Sequence, residues 1–304
     1  MRSRHICILG GSGFVGRNLA ARLRLDGHRL KILTRSERTR ARLFRQISAE
    51  ALVTDVYDEA ALQRAFAGCD TVINLIGILN ERGHDGREFR RVHAELPASI
   101  ARAARASGVQ RLLHMSALGA AADAPSAYLR TKAAGASAVN ETLGTALPWT
   151  IFMPSVIFGP GDGLTCRFAR LLRLTPFVFP LACPMARMAP VYVGDVVEGF
   201  ARALDDAHSA GRHYEFCGPD ILTLQAIVEL TARTARLRRR IIPLPDRLSR
   251  LQAAIMEYLP GKPFSLDNYR STKTDSICSG ARPGLSALGI EPTAMNKAVP
   301  AYLA

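Results

Sequence analysis

The sequence predicts an α/β protein: a doubly wound parallel sheet with helices on both faces, followed by a smaller C-terminal lobe. Three observations carry this. Short apolar runs alternate with helical patterns through the first half. A turn with glycines at three-residue spacing, Gly10, Gly13 and Gly16, separates the first strand from the first helix. After Pro154 the texture changes to proline- and glycine-rich loops between short helical stretches.

In chain order, the run Ile6-Cys7-Ile8-Leu9 places a strand over 5–9. A run that is apolar without alternation belongs to a strand buried on both faces. A helix follows over 14–26, with Leu19 and Leu23 four apart on one face. Further strands are predicted at 29–34, 51–53, 71–76, 111–115 and 149–153, and helices at 37–46, 59–67, 87–107 and 126–143. This βαβα rhythm implies parallel strands with ligands bound at their carboxyl ends. The main domain is expected to span 1–155 plus about 188–215, with Val191–Leu204 returning to it. The lobe takes 156–187 plus about 216–304. Within the lobe, Leu248, Leu251, Ala254, Ile255, Tyr258 and Leu259 recur at helical spacing, and core packing is expected for them, with membrane or partner docking as the alternative.

The chain of 304 residues carries a net charge of +14, concentrated at Arg35–Arg45 and Arg233–Arg250. Such a surface attracts phosphate-rich ligands, anionic headgroups or an acidic partner, the alternative being a solvated face. Nucleic acid is not expected, since no nucleic-acid module accompanies the charge. The six cysteines lie far apart, so reduced, structural thiols are expected. With no apolar run long enough to span a bilayer and no signal-peptide pattern before the first strand, the expected address is cytoplasmic, or peripheral on the inner face of a membrane. No metal site is expected, because neither His93 nor His114 has a second ligand at a telling spacing.

The glycine turn points to a dinucleotide. Missing β-carbons at Gly10, Gly13 and Gly16 permit a tight turn and close backbone approach to a pyrophosphate. The first helical N–H groups, at Phe14, Val15 and Gly16, then face the phosphates. At the tip of the second strand, Thr34-Arg35-Ser36 contains no carboxylate to accept from a ribose. Arg35 is suited to a 2′-phosphate, helped by Ser36, Arg17 or Arg38, so NADP(H) is favoured with NAD(H) as the alternative. Asp55 and Val56 stand where adenine would be met; the other role for Asp55 is helix capping.

Tyr128 and Lys132 lie four apart on one helix face. An ammonium beside a phenol lowers its pKa and suits it to acid–base work, while the same lysine can hold a ribose. Ser116, ending the fifth strand, is placed to orient a carbonyl or to serve as a turn serine, and Ser126 is placed to cap the helix.

Gly10-x-x-Gly13-x-x-Gly16, Asp55, Asn74-Leu75-Ile76-Gly77, Ser116 and Tyr128-x-x-x-Lys132 together resemble the short-chain dehydrogenase/reductase superfamily. Pro154-Ser155-Val156-Ile157-Phe158-Gly159 and Pro190–Val196 are similar to its extended and atypical branches. Tyr128–Gly135, Leu259–Pro263, Asp267–Ser271 and Leu288–Thr293 resemble the branch containing the nucleotide-binding accessory subunit of respiratory complex I and its bacterial relatives. The resemblance implies a Rossmann-type sheet, NAD(P)(H) binding, and cofactor-lining positions at Leu75, Ile76, Gly77, Pro154 and Val156. The chain departs from the family at His93, where an Asn commonly supports a proton relay, and at Ala136, where Glu is common.

Two classes of function follow. In one, the nucleotide is a structural or regulatory ligand, and the basic face docks on a membrane-surface or respiratory-complex partner. In the other, Tyr128, Lys132 and Ser116 run hydride transfer on a carbonyl or hydroxyl substrate. Epimerase or dehydratase chemistry with NAD is a third possibility. Phe158, Phe177, Phe179, Met185 and Met188 suggest an apolar or quinone-sized ligand in the lobe.

Overall fold

The computed structural model describes residues 3–40 and 49–303. Its centre is a seven-stranded sheet whose six neighbouring pairs are all parallel. The first six strands in chain order are β1 (His5–Leu9), β2 (Arg29–Thr34), β3 (Glu50–Val53), β4 (Thr71–Asn74), β5 (Arg111–Met115) and β6 (Trp149–Pro154). Four short strands outside this sheet follow: β7 (Ile157–Phe158), β8 (Val178–Leu181), β9 (Arg187–Met188) and β10 (Val191–Tyr192). The chain then returns to the sheet with β11 (Arg212–Phe216), which pairs with β6. The spatial order is β11-β6-β5-β4-β1-β2-β3, so the strand order reverses between β1 and β4. That reversal is where ligands sit in such sheets.

The unbroken apolar run in β1 has a direct structural reason. Ile6 and Ile8 join a core formed on one face with α1 (Phe14–Leu25), while Cys7 and Leu9 join the core on the other. That second core is closed by α2 (Glu59–Phe66) and by α4 (Leu96–Ala106), which follows α3 (Arg87–Arg90) and a π-helical turn (Arg91–Glu95). It is completed by α5 (Ala127–Leu143), capped by Ser126, whose hydroxyl accepts from the N–H of Leu129. The predicted helix over 37–46 is present over 37–40, and its remainder lies outside the described residues. β11 was not among the predicted strands. Its sequence, Arg-His-Tyr-Glu-Phe, lacks a continuous apolar run because it is an edge strand.

The lobe contains α6 (Thr165–Leu174), and α7 (Val193–Asp205) leaves it to pack beside α1 in the main core. Then come β12 (Leu222–Thr223), α8 (Leu224–Thr234), β13 (Arg240–Pro243), α9 (Asp246–Met256) and α10 (Leu266–Ser271). β8 and β13 form a parallel pair backed by Leu172, Phe179, Leu181 and Val228.

Three expectations need correction. Cys217 and Cys278, 61 residues apart, are joined in a disulfide rather than standing as free thiols. The pairing follows from the return of β11 to the sheet, where Glu215 accepts from both the N–H and the hydroxyl of Ser279. The apolar residues of α9 do not pack into a core: Ser249 and Ala253 are its buried positions, and Leu248, Leu251 and Ile255 are exposed. The five lobe residues offered for an apolar pocket do not converge, since Phe158, Phe179 and Met188 are core while Phe177 and Met185 are solvent-facing.

Candidate active site

The glycine turn lies at the carboxyl end of β1. Gly10 has a left-handed backbone (φ +78°), and its missing β-carbon would fall 2.9 Å from the carbonyl carbon of Leu75. At Gly16 a β-carbon would lie 2.2 Å from the Gly10 carbonyl oxygen, so no other residue lets α1 start this close to the turn. α1 has no side-chain cap and no acidic residue in its first turn, leaving its first N–H groups and positive dipole end to an external anion. Opposite the turn, Asn74 accepts the N–H of Ile76 and holds the Leu75–Gly77 segment against Gly10. This cradle, which side chains would fill, fits the pyrophosphate of a dinucleotide.

At the neighbouring strand ends, Thr34 is buried, and its hydroxyl accepts from the N–H of Ser36. Arg35 and Ser36 are exposed at the β2 tip, and the nearby Glu37 pairs with Arg40. Arg17, offered as a helper to Arg35, is committed elsewhere: its guanidinium donates to the carbonyls of Pro160 and Gly161. Asp55 is exposed after β3 and accepts the N–H of Tyr57, while capping of α2 falls to Asp58. Val56 is buried beneath it. Pro154 ends β6, and Val156 follows at the start of the lobe, where its carbonyl accepts from Val191.

Lys132 is buried, and its Nζ donates to the carbonyl of Met115 at 3.1 Å. It sits so close to Gly77 that a β-carbon there would be 3.2 Å from Nζ. Burial lowers its ammonium to about 8. Tyr128 is half-buried, edge-on to His93 and Phe89, and no hydrogen bond engages its hydroxyl among the described residues. Burial pushes its phenol up to about 12, against the expectation that Lys132 would lower it. The reason is that desolvation dominates while Nζ is turned to a backbone carbonyl. Ser116 is buried and donates to the main-chain carbonyl of Lys132 at 3.2 Å, fastening β5 to α5.

His93 occupies the π-helical turn beneath Tyr128. Its Nε2 accepts the N–H of Ile78 at 3.0 Å, so the proton sits on Nδ1, which faces the Thr131 hydroxyl at 3.2 Å. Gly135 makes room for this turn, since a β-carbon there would fall 1.8 Å from the His93 carbonyl oxygen. His114 accepts from the Asn74 amide through Nδ1, leaving a buried Nε2–H without a partner among the described residues. Burial, with the Lys132 charge behind it, holds His93 at about 2 and His114 at about 3. Both rings are therefore neutral braces, the first for the loop after β4 and the second for Asn74.

Sequence reasoning missed Asp267. Its carboxylate accepts the N–H groups of Ala127 at 2.7 Å and Tyr128 at 3.1 Å, so the lobe caps the helix that carries Tyr128 and Lys132. In sequence it lies in the first turn of α10 behind Ser265, which itself caps that helix, and nothing local ties it to a residue 140 positions away.

A family model described as the NAD dependent epimerase/dehydratase family matches residues 6–217. The mitochondrial NADH dehydrogenase (ubiquinone) 1 alpha subcomplex subunit 9 of Arabidopsis thaliana is 29% identical over 287 residues, covering 90% of this chain and 70% of that protein. The ceramide reductase of Caulobacter vibrioides is 33% identical over 254 residues, covering 79% of this chain and 74% of that protein. Among solved structures, a UDP-glucose 4-epimerase from Thermotoga maritima, determined with UDP-glucose, shares the fold with a TM-score of 0.75 at 14% identity. The match covers 98% of this chain and 97% of that one.

Proposed function

The chain belongs to the NAD dependent epimerase/dehydratase family, and from that membership we propose that it holds a nicotinamide dinucleotide as a bound ligand and serves as an accessory subunit of a respiratory complex. The observation that carries this reading is the contrast between a complete glycine cradle and an incomplete reactive set: the Ser116 hydroxyl is turned onto the Lys132 carbonyl. Similarity to the complex subunit along 90% of the chain supports it.

In this reading the turn N–H groups and the first turn of α1 hold the pyrophosphate. Arg35 with Ser36 pairs the 2′-phosphate, which makes NADP(H) the preferred form over NAD(H). Asp55 and Val56 line the adenine, and Leu75, Ile76, Gly77, Pro154 and Val156 line the middle of the cofactor. Lys132 meets the nicotinamide ribose. No described helix is long and apolar enough to cross a membrane. The address proposed is the cytoplasmic side, at the inner face of a membrane beside such a partner.

A second reading, an NADP(H)-dependent oxidoreductase, is favoured by the free Tyr128 hydroxyl and by similarity to the ceramide reductase. A bound nicotinamide supplies a hydride donor or acceptor at its 4-position. Tyr128, kept protonated by burial, would give its proton to a substrate oxygen, and Lys132 would steady the ribose.

The test is to denature purified protein, identify any released nucleotide by chromatography, and titrate NADPH and NADH by fluorescence. Stoichiometric NADP(H) that does not exchange supports the accessory reading. Reversible binding with a turnover that Tyr128→Phe abolishes supports the reductase. Arg35→Ala is expected to weaken NADPH about tenfold or more while sparing NADH. Binding of neither nucleotide overturns both readings.

A further inference from the structure

An amphipathic helix in a globular protein turns its apolar side inward. α9 does the reverse. It is held to the lobe by small and polar groups: Ser249 accepts the N–H of Cys183 and donates to the carbonyl of Leu244, and Ala253 is fully buried beside it. Its outward face carries Leu248, Leu251 and Ile255, exposed by 47%, 53% and 58%, and continues into Tyr258 and Leu259 at 78% and 47%. Residues this apolar and this exposed, in one stripe, mark a surface that something covers.

The stripe does not end with the helix. Gln252 donates to the carbonyl of Pro180, joining α9 to the β8/β13 pair. On the outward side of that pair Val178 stands opposite Arg240, and Pro180 opposite Ile242. Arg240 in turn donates its N–H to the carbonyl of Phe177, which is 78% exposed. The apolar ground therefore runs from Phe177 across β8 and β13 to α9.

The charges set into this ground are mostly basic. Arg247 and Arg250 flank the stripe on α9, and both are exposed. Arg240, on the outward side of β13, is exposed as well. The acids of α9 and its extension are already occupied: Asp246 pairs with Lys273 and accepts from the Tyr269 hydroxyl, and Glu257 faces His84 at 3.0 Å. Apolar side chains bracketed by arginines match a bilayer interface with anionic headgroups, where each such cation adds attraction and the apolar residues enter the acyl boundary.

We propose that α9, with the exposed edge of the β8/β13 pair, is a membrane-docking face that lies on an anionic lipid surface. This goes beyond the nucleotide reading and does not depend on it. The docked face is braced to the site. Lys262, three residues past Leu259, donates to the carbonyl of Gly83, and its own carbonyl accepts from Asn80. The loop after Gly77 and the Asp267 cap on α5 therefore share a scaffold with the face placed on lipid.

The experiment is sedimentation of the full chain with vesicles of phosphatidylcholine alone and of phosphatidylcholine mixed with phosphatidylglycerol. Binding is expected to the mixed vesicles, to weaken with salt, and to be weak on phosphatidylcholine alone. Arg247→Gln with Arg250→Gln should weaken it roughly thirtyfold, at about a factor of five per charge. Leu251→Ser with Ile255→Ser should abolish it while leaving the thermal midpoint and nucleotide titration of the protein unchanged. Failure of the unaltered chain to bind mixed vesicles overturns the proposal. A concentration-dependent dimer that Leu251→Ser with Ile255→Ser dissolves, without vesicle binding, also overturns it and assigns the face to a second copy. Nucleotide titration of the same samples keeps failure here separate from failure of the cofactor reading.

Discussion

α1 and α9 are helices of 12 and 11 residues with apolar side chains at the same helical spacing, and the molecule treats them in opposite ways. α1 buries Val15, Leu19 and Leu23 between β1 and α7. α9 buries Ser249 and Ala253 and leaves its leucines and isoleucine in solvent. The difference lies in what stands opposite each helix. Beside α1 is a sheet face that is itself apolar, whereas α9 sits on a polar ledge formed by the Cys183 N–H and the Leu244 and Pro180 carbonyls. Periodicity therefore shows that a stripe exists; only the opposing surface shows whether the protein itself covers it.

The sharpest way to break this comparison is truncation in α1. Leu19 has no solvent exposure, so Leu19→Ala is expected to cost about 2–5 kcal/mol in urea unfolding. A loss under 1 kcal/mol would mean that α1 is not part of the load of the core.

Acid titration sharpens it next. His93 and His114 are held neutral in the folded chain down to about 2 and 3, while each takes up a proton near 6.5 when unfolded. Below about 6.5 the unfolded state binds more protons, so stability falls as pH falls. His93→Asn removes one of these protons, and the stability gap between variant and parent should shift in favour of the variant by about 1.4 kcal/mol per pH unit below 6. A gap that does not change with pH would show that His93 is not buried in neutral form. No histidine lies on α9, so its variants should leave this profile unchanged.

The smallest effect is expected on α9 itself. Leu251→Ala should change the unfolding free energy by no more than about 0.5 kcal/mol, as for an exposed position. A cost near that of Leu19→Ala would place the stripe inside a contact of the folded protein and remove the contrast.

Much of the site's frame could be read without the structure. The strand–turn–helix context of Gly10, Gly13 and Gly16, the open tip at Arg35, the Ser126 cap and the shared face of Tyr128 and Lys132 are local relations, set by turn geometry and by the 3.6-residue period. Their environments could not be read. Ser116 sits at the predicted strand end, but the direction of its hydroxyl depends on how closely α5 crosses β5. Tyr128 and Lys132 share a face as expected, yet burial, which depends on everything packed around them, moves the phenol up and the ammonium down. His93 could be seen as a departure from the family, though its role in holding Ile78 and Thr131 needed the π-helical turn that carries it.

The sequence by itself determined the parallel sheet, its glycine turn and the positions of its first six strands along the chain, because apolar runs, glycine spacing and helix caps act over a few residues. The tertiary structure alone decided the seventh strand, the Cys217–Cys278 pair, the Asp267 cap on α5 and the outward turn of α9. Each of these joins segments 60 or more residues apart or depends on the surface opposite, and such contacts arise only once the strand order has brought the segments together.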